Sequence, residues 1–104
     1  MTRAVNHQCR AFEVAIDVLG RPWNGQLLTA LQQGPMHFSD LADAVGGMGH
    51  KILSARLKAL EAKRLLVRRV EPGPPVRVVY ELTAVGCAFS DVARSIERWG
   101  KQLL

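Results

Sequence analysis

From residue 9 onward the apolar positions return at the three- and four-residue steps of helices. Phe12, Ala15, Ile16 and Leu19 recur at that spacing and predict a helix over about 9–20, stopped by Gly20. After Arg21-Pro22 a second helix is expected from about Trp23 to Gln33, with Leu27, Leu28 and Leu31 on its apolar side. Gly25 weakens it by roughly 1 kcal/mol against alanine, and Gly34-Pro35 ends it. Phe38, Leu41, Ala42 and Val45 then mark a short third helix over about 38–45, with Ser39 and Asp40 suited to its positive N-terminal end. Gly46-Gly47-Met48-Gly49 makes a tight turn into a fourth helix, about His50 to Lys63, whose Leu53, Leu57 and Leu60 share an inward sector. Two short helices joined by a glycine-bearing turn, about 38–63, form a helix-turn-helix.

The period then shortens to two. Leu65 to Val70 is strand-like, and Val76 to Leu82 alternates through Val76, Val78, Tyr80 and Leu82. Glu71-Pro72-Gly73-Pro74-Pro75 separates the two as the stiff tip of a hairpin over about 65–82. A helix-turn-helix followed directly by a hairpin is the order of a winged helix, an α+β fold that is mostly α. Thr83 can cap a last helix over about 87–103, where Phe89, Val92, Ile96, Trp99 and Leu103 step by three and four. That stripe either covers the domain's own core or pairs with the first helix and with a second subunit.

Length and composition leave room for one domain spanning 1–104. The chain is 48% hydrophobic and 22% charged, which excludes a disordered tail or a fibre. No apolar run approaches the roughly 18 residues of a membrane helix, and Met1-Thr2-Arg3 opens no signal-peptide core, so a cytoplasmic protein without membrane contact is expected. Two cysteines, Cys9 and Cys87, are too few for a disulfide scaffold.

The net charge of +5 is concentrated. Lys51, Arg56, Lys58, Lys63, Arg64, Arg68, Arg69 and Arg77 face only Glu61 and Glu71 between positions 51 and 77. On a helical wheel Lys51, Ser54, Ala55 and Lys58 fall opposite the leucines, combining two cations, a hydroxyl and a small methyl. That surface suits close approach to base edges in a major groove, with the cationic hairpin along the phosphates. The expected partner is double-stranded DNA.

The run "GPMHFSDLADAVGGMGHKILSARLKALEAKRLLVRRVEPGPPVRVVYELTAVG", with "CRAFEVAIDVLGRPWNGQLLTAL" before it and "WGKQLL" after it, resembles the HxlR-type winged helix-turn-helix regulators, relatives of the MarR type. The marks are Cys9, Trp23, the Phe38 and Leu41 pair, the reading-helix leucines, a Pro-Pro wing, the Tyr80-x-Leu82-Thr83-x-x-Gly86 run and Trp99-Gly100. The resemblance implies a homodimer on operator DNA. It implies DNA contacts from His50, Lys51, Ser54, Ala55 and Lys58, and phosphate contacts from Ser39, Arg56, Arg68, Arg69 and Arg77. It also implies that the first and last helices form the dimer interface, through Phe12, Ile16, Phe89, Val92, Ile96, Trp99 and Leu103. Three positions depart from the family pattern: Pro22 replaces a basic residue, Asn24-Gly25 interrupts a normally more apolar helix start, and Arg64 stands where glycine is usual.

Other chemistry is thinly represented. Some HxlR-type regulators sense oxidants or electrophiles through an N-terminal cysteine, and Cys9 lies near Arg3, His7 and Arg10 in sequence, which would favour a thiolate if they converge. The plainer reading makes Cys9 a small buried apolar residue, and Cys87 is expected to pack. His7-x-Cys9 lacks a second ligand pair for a metal, His37 and His50 read as phosphate or base neighbours, and Gly46–Lys51 lacks the spacing of a phosphate loop. No nucleophile elbow or metal-helix motif frames a catalytic site, and no cofactor is called for. The functional expectation is an inverted-repeat-binding regulator that represses by occupancy. Its rivals are a protein-interaction module and a Cys9 thiol switch, and a small-molecule or oxidant effector is compatible with either regulator.

Overall fold

The computed structural model describes residues 7–104, with side chains from Cys9 onward. The elements are α1 (His7–Leu19), α2 (Asn24–Leu31), β1 (Met36–His37), α3 (Phe38–Ala44), α4 (His50–Ala62), β2 (Leu66–Glu71), β3 (Arg77–Leu82), α5 (Ala84–Cys87) and α6 (Phe89–Lys101). The three strands form one antiparallel sheet in the order β1-β3-β2.

The core is built mainly of leucine. Leu27, Leu28 and Leu31 from α2, Leu41 from α3, Leu53, Leu57 and Leu60 from α4 and Leu66 from β2 are all almost wholly buried. Each comes from the apolar side of its element, so the helical period places them together and burial of their area drives the three helices onto the sheet. Val79, Tyr80 and Leu82 are buried along β3, the central strand.

Several boundaries differ from expectation. The second helix begins at Asn24 and ends at Leu31, shorter at both ends than the 23–33 run. Trp23 lies outside it in a left-handed conformation, φ 73°, as the residue before the first turn. Its side chain is half-buried against the core. Met36 and His37 pair with Tyr80 and Val79 as a two-residue strand, too short for any alternation to announce it. The last helix starts early, at Ala84, capped by Thr83, whose Oγ1 accepts the Gly86 N–H at 3.2 Å. It breaks at Ala88 before α6 and ends at Lys101, which leaves Leu103 beyond the helix.

The end of α4 and the start of α5 are knotted together at Thr83. Its hydroxyl donates to the Arg64 carbonyl at 2.7 Å, and its N–H donates to the Leu65 carbonyl at 3.1 Å. Gly86 packs so closely here that a Cβ would lie 2.1 Å from the Leu65 oxygen. Gln32 Nε2 donates to the Gly86 carbonyl at 3.1 Å, drawing α2 into the same junction. The Tyr80-x-Leu82-Thr83-x-x-Gly86 run therefore docks the wing and the last helices onto the reading helix.

Candidate DNA-binding face

Lys51, Ser54, Ala55 and Lys58 are all exposed on α4, while Leu53, Leu57 and Leu60 behind them are 0 to 1% exposed. The exposed side opens onto a groove whose opposite wall is the hairpin, with Ser54 and Lys58 facing Arg68, Val76 and Arg77. The reading helix and the wing thus contribute cations to one trough. Ser39, near the N-terminal end of α3, lines the same trough.

The aromatic residues hold that arrangement. Phe38 packs edge-on against His50 with ring centroids 5.4 Å apart, and lies 6.5 Å from the ring of Tyr80 on β3. One side chain at the start of α3 therefore fixes both the first residue of the reading helix and the strand behind the wing. His37 adds a polar tie: its Nε2 lies 3.0 Å from Glu71 Oε1 at the end of β2, and its Nδ1 lies 3.5 Å from Asp40. His37 lines the groove but is engaged with carboxylates in this state.

The wing arginines divide by strand alternation. Arg68 stands opposite Tyr80 in the β2–β3 register and shares its face, turned to the groove. Arg69 takes the other face, where its Nη2 donates to Glu81 Oε1 at 2.9 Å. Arg56 is also apart from the trough. It is half-buried on the opposite flank of α4, in a hollow with Asp17, Arg21, Asn24 and Lys63. The structure therefore brings Ser39, Ser54, Lys58, Arg68 and Arg77 together and places Arg56 and Arg69 elsewhere. Asp40, expected only to suit the N-terminal end of the third helix, and Glu61, counted only in the charge balance, line the same groove and break its positive charge. Their acidic character was visible, but which side of the fold they faced was not.

The stripe of the last helix is split. Phe89 is half-buried and packs on the core, whereas Val92, Ile96, Trp99 and Leu103 are exposed, Trp99 to 63%. Phe12, at 68%, and Ile16 are exposed on α1. An apolar hollow bounded by Val14, Val18, Val85, Phe89 and Val92 runs between α1 and the last helices.

Cys9 is half-buried on α1, while Cys87 is exposed, contrary to the packing role expected for it. The side chains of Arg3 and His7, grouped with Cys9 by their sequence proximity, lie outside the described residues. Among the described residues no helix is long and apolar enough to cross a membrane.

The model of the HxlR-like helix-turn-helix family matches residues 18–104. The chain belongs to the HxlR-like family. It is 35% identical over 97 residues to the HTH-type transcriptional regulator YodB of Bacillus subtilis, covering 93% of this chain and 87% of that one. The uncharacterized HTH-type transcriptional regulator YtfH of Escherichia coli is 37% identical over 92 residues, 88% of this chain and 72% of its own. The solved reduced form of YodB superposes with a TM-score of 0.83 at 32% identity, over 95% of this chain and 94% of that one. The winged helix-turn-helix expected from the order of elements is therefore the architecture this HxlR-like chain shares with YodB.

Proposed function

We propose that this DNA-binding transcriptional regulator works as a homodimer on an inverted-repeat operator and represses by occupying it. The observation that carries the reading is the shared trough: Ser54 and Lys58 of α4 and the cations Arg68 and Arg77 of the wing open onto one groove. In this arrangement Lys51, Ser54, Ala55 and Lys58 face base edges, with His50 at the helix start, while Ser39, Arg68 and Arg77 meet phosphates. The exposed apolar residues of α1 and α6, namely Phe12, Ile16, Val92, Ile96 and Trp99, supply the dimer contact, with Phe89 beneath them and Leu103 beyond the helix end. A two-fold dimer then sets its reading helices about one DNA turn, roughly 34 Å, apart.

Selection of bound duplexes from a random pool tests this. Enrichment of an inverted repeat with half-sites about 10 base pairs apart supports the reading. No enrichment at low salt would instead favour a basic module that docks on an acidic protein.

A second reading, in which Cys9 gates DNA binding by oxidation, draws support from YodB, which has been solved in reduced, quinone-bound and diamide-treated forms. It predicts that Cys9→Ser keeps its hold on DNA at oxidant doses that release the wild type. Equal loss in both proteins would remove it.

A further inference from the structure

The hollow on the far flank of α4 has no part in the trough. Arg56 and Lys58 are two residues apart, hence about 160° apart around the helix, and point to opposite sides of it. Arg56 faces the turn between α1 and α2, where Asp17, Arg21, Asn24 and Lys63 complete the walls. Asp17 on α1 reaches both Arg21 and Lys63 at 3.8 Å, so its carboxylate already serves two cations.

Two buried polar atoms of residues that line this hollow stand without a hydrogen-bond partner among the described residues. They are Nε of Arg56 and Oδ1 of Asn24. Asn24 is 4% exposed, and its Nδ2 donates to the carbonyl of Val18 at 2.8 Å, near the end of α1. That bond assigns the amide's orientation and makes Oδ1 the remaining acceptor. Arg56 Nε–H can only donate. One unmatched donor on α4 and one unmatched acceptor at the start of α2 thus belong to side chains that line the same hollow. Leaving both buried and unmatched is costly, and an orientation of α4 that joins them removes both penalties together.

We propose that Arg56 is a positioning residue: as α4 seats in the major groove, Arg56 Nε–H donates to Asn24 Oδ1. The chain Val18, Asn24, Arg56 then ties the angle of the reading helix to α1. The proposal rests on the DNA-reading face described above and assigns Arg56 a role other than phosphate contact. Because α1 belongs to the proposed dimer contact, the same link sets the angle of each reading helix relative to the two-fold axis.

Titrations on the selected operator and on a random-sequence duplex, between about 50 and 200 mM salt, separate the roles. Arg56→Lys keeps the positive charge and removes Nε–H, and Asn24→Ala removes the acceptor without touching any cation. Each variant should bind the operator about tenfold more weakly while random-duplex affinity and salt slope stay unchanged. The double variant should be no worse than either single one, because both break one link. The proposal is overturned if Arg56→Lys binds as the wild type does. It is equally overturned if Arg56→Ala weakens both duplexes alike and makes the slope shallower by about 0.9, the mark of a phosphate ligand.

The ¹⁵N resonance of Arg56 Nε–H, followed in the full chain, gives a readout that altered folding of a variant does not replace. In the wild type it should shift and resist solvent exchange when operator is added. An unchanged resonance would count against the link whatever the variants do. A wild type that does not prefer operator over random duplex would instead sink the DNA-reading proposal itself.

Discussion

Arg64 shows how a single side chain can be tolerated in a conformation it does not favour. At φ 63° it is left-handed, the backbone geometry in which glycine usually ends a helix. Its N–H donates to the Glu61 carbonyl at 2.9 Å, and Leu65 N–H reaches back to Leu60 at 3.1 Å, closing the end of α4. Those bonds hold the turn although an L side chain costs about 1–2 kcal/mol there. Arg64→Gly keeps the turn and relieves that strain, but it also frees the unfolded chain. A net gain of about 0.5–1 kcal/mol is expected, read as a rise of a few degrees in Tm by calorimetry. A fall in Tm would mean that the arginine side chain stabilises the junction more than its backbone strains it. Gly86→Ala should do the opposite, because the new methyl would meet the Leu65 carbonyl at 2.1 Å. About 1–3 kcal/mol of destabilisation is expected, measured by urea unfolding. The departure at Arg64 was legible in the sequence as a residue in a glycine position. The left-handed Trp23 was not, because nothing in Arg21-Pro22-Trp23 states where the next helix will begin.

Elements differ in how plainly they announce themselves. The leucines of α4 were legible because a helix repeats every 3.6 residues, and burial of one side forces apolar residues onto that period. Strand β1 was invisible, since its two residues are strand only by virtue of their pairing with Tyr80 and Val79. The wing was legible as a hairpin, but alternation and register turn its two adjacent arginines to opposite faces. Arg68 faces the trough and Arg69 is paired with Glu81. Arg68→Ala should therefore weaken operator and random DNA about equally and reduce the slope of log K against log salt by about 0.9. Arg69→Ala should change the slope less, and the reverse ranking would mean that the wing presents its other face to DNA. Lys58→Ala should cost about 1–3 kcal/mol on the operator if it reads a base, with a much smaller loss on random duplex. Equal losses on the two DNAs would make Lys58 a phosphate contact.

At the scale of the whole fold, the described residues are elongated, 57 by 31 by 24 Å, with a radius of gyration of 15.6 Å. A compact domain of this length would have a radius near about 13 Å. The excess accompanies the exposed apolar residues of α1 and α6, which a soluble monomer rarely presents together. Ile96→Glu should therefore convert the proposed dimer to monomer in sedimentation velocity. It should also weaken operator binding strongly, since two half-sites would no longer be held by one particle. A variant that sediments as the wild type does would place the interface elsewhere.

The order of the longer helices and the wing, the buried leucines and the concentration of charge between 51 and 77 were settled along the chain, because each depends on local periodicity or on composition. The partners of those charges were settled only by packing. Lys58, Arg68 and Arg77 share a trough, Arg69 is paired on the other face of the wing, and Arg56 lies behind α4 beside Asn24. A helical wheel gives the direction of a side chain from its own axis, but what lies in that direction depends on segments distant in sequence. For Arg56 that segment is the turn between α1 and α2, more than twenty residues away.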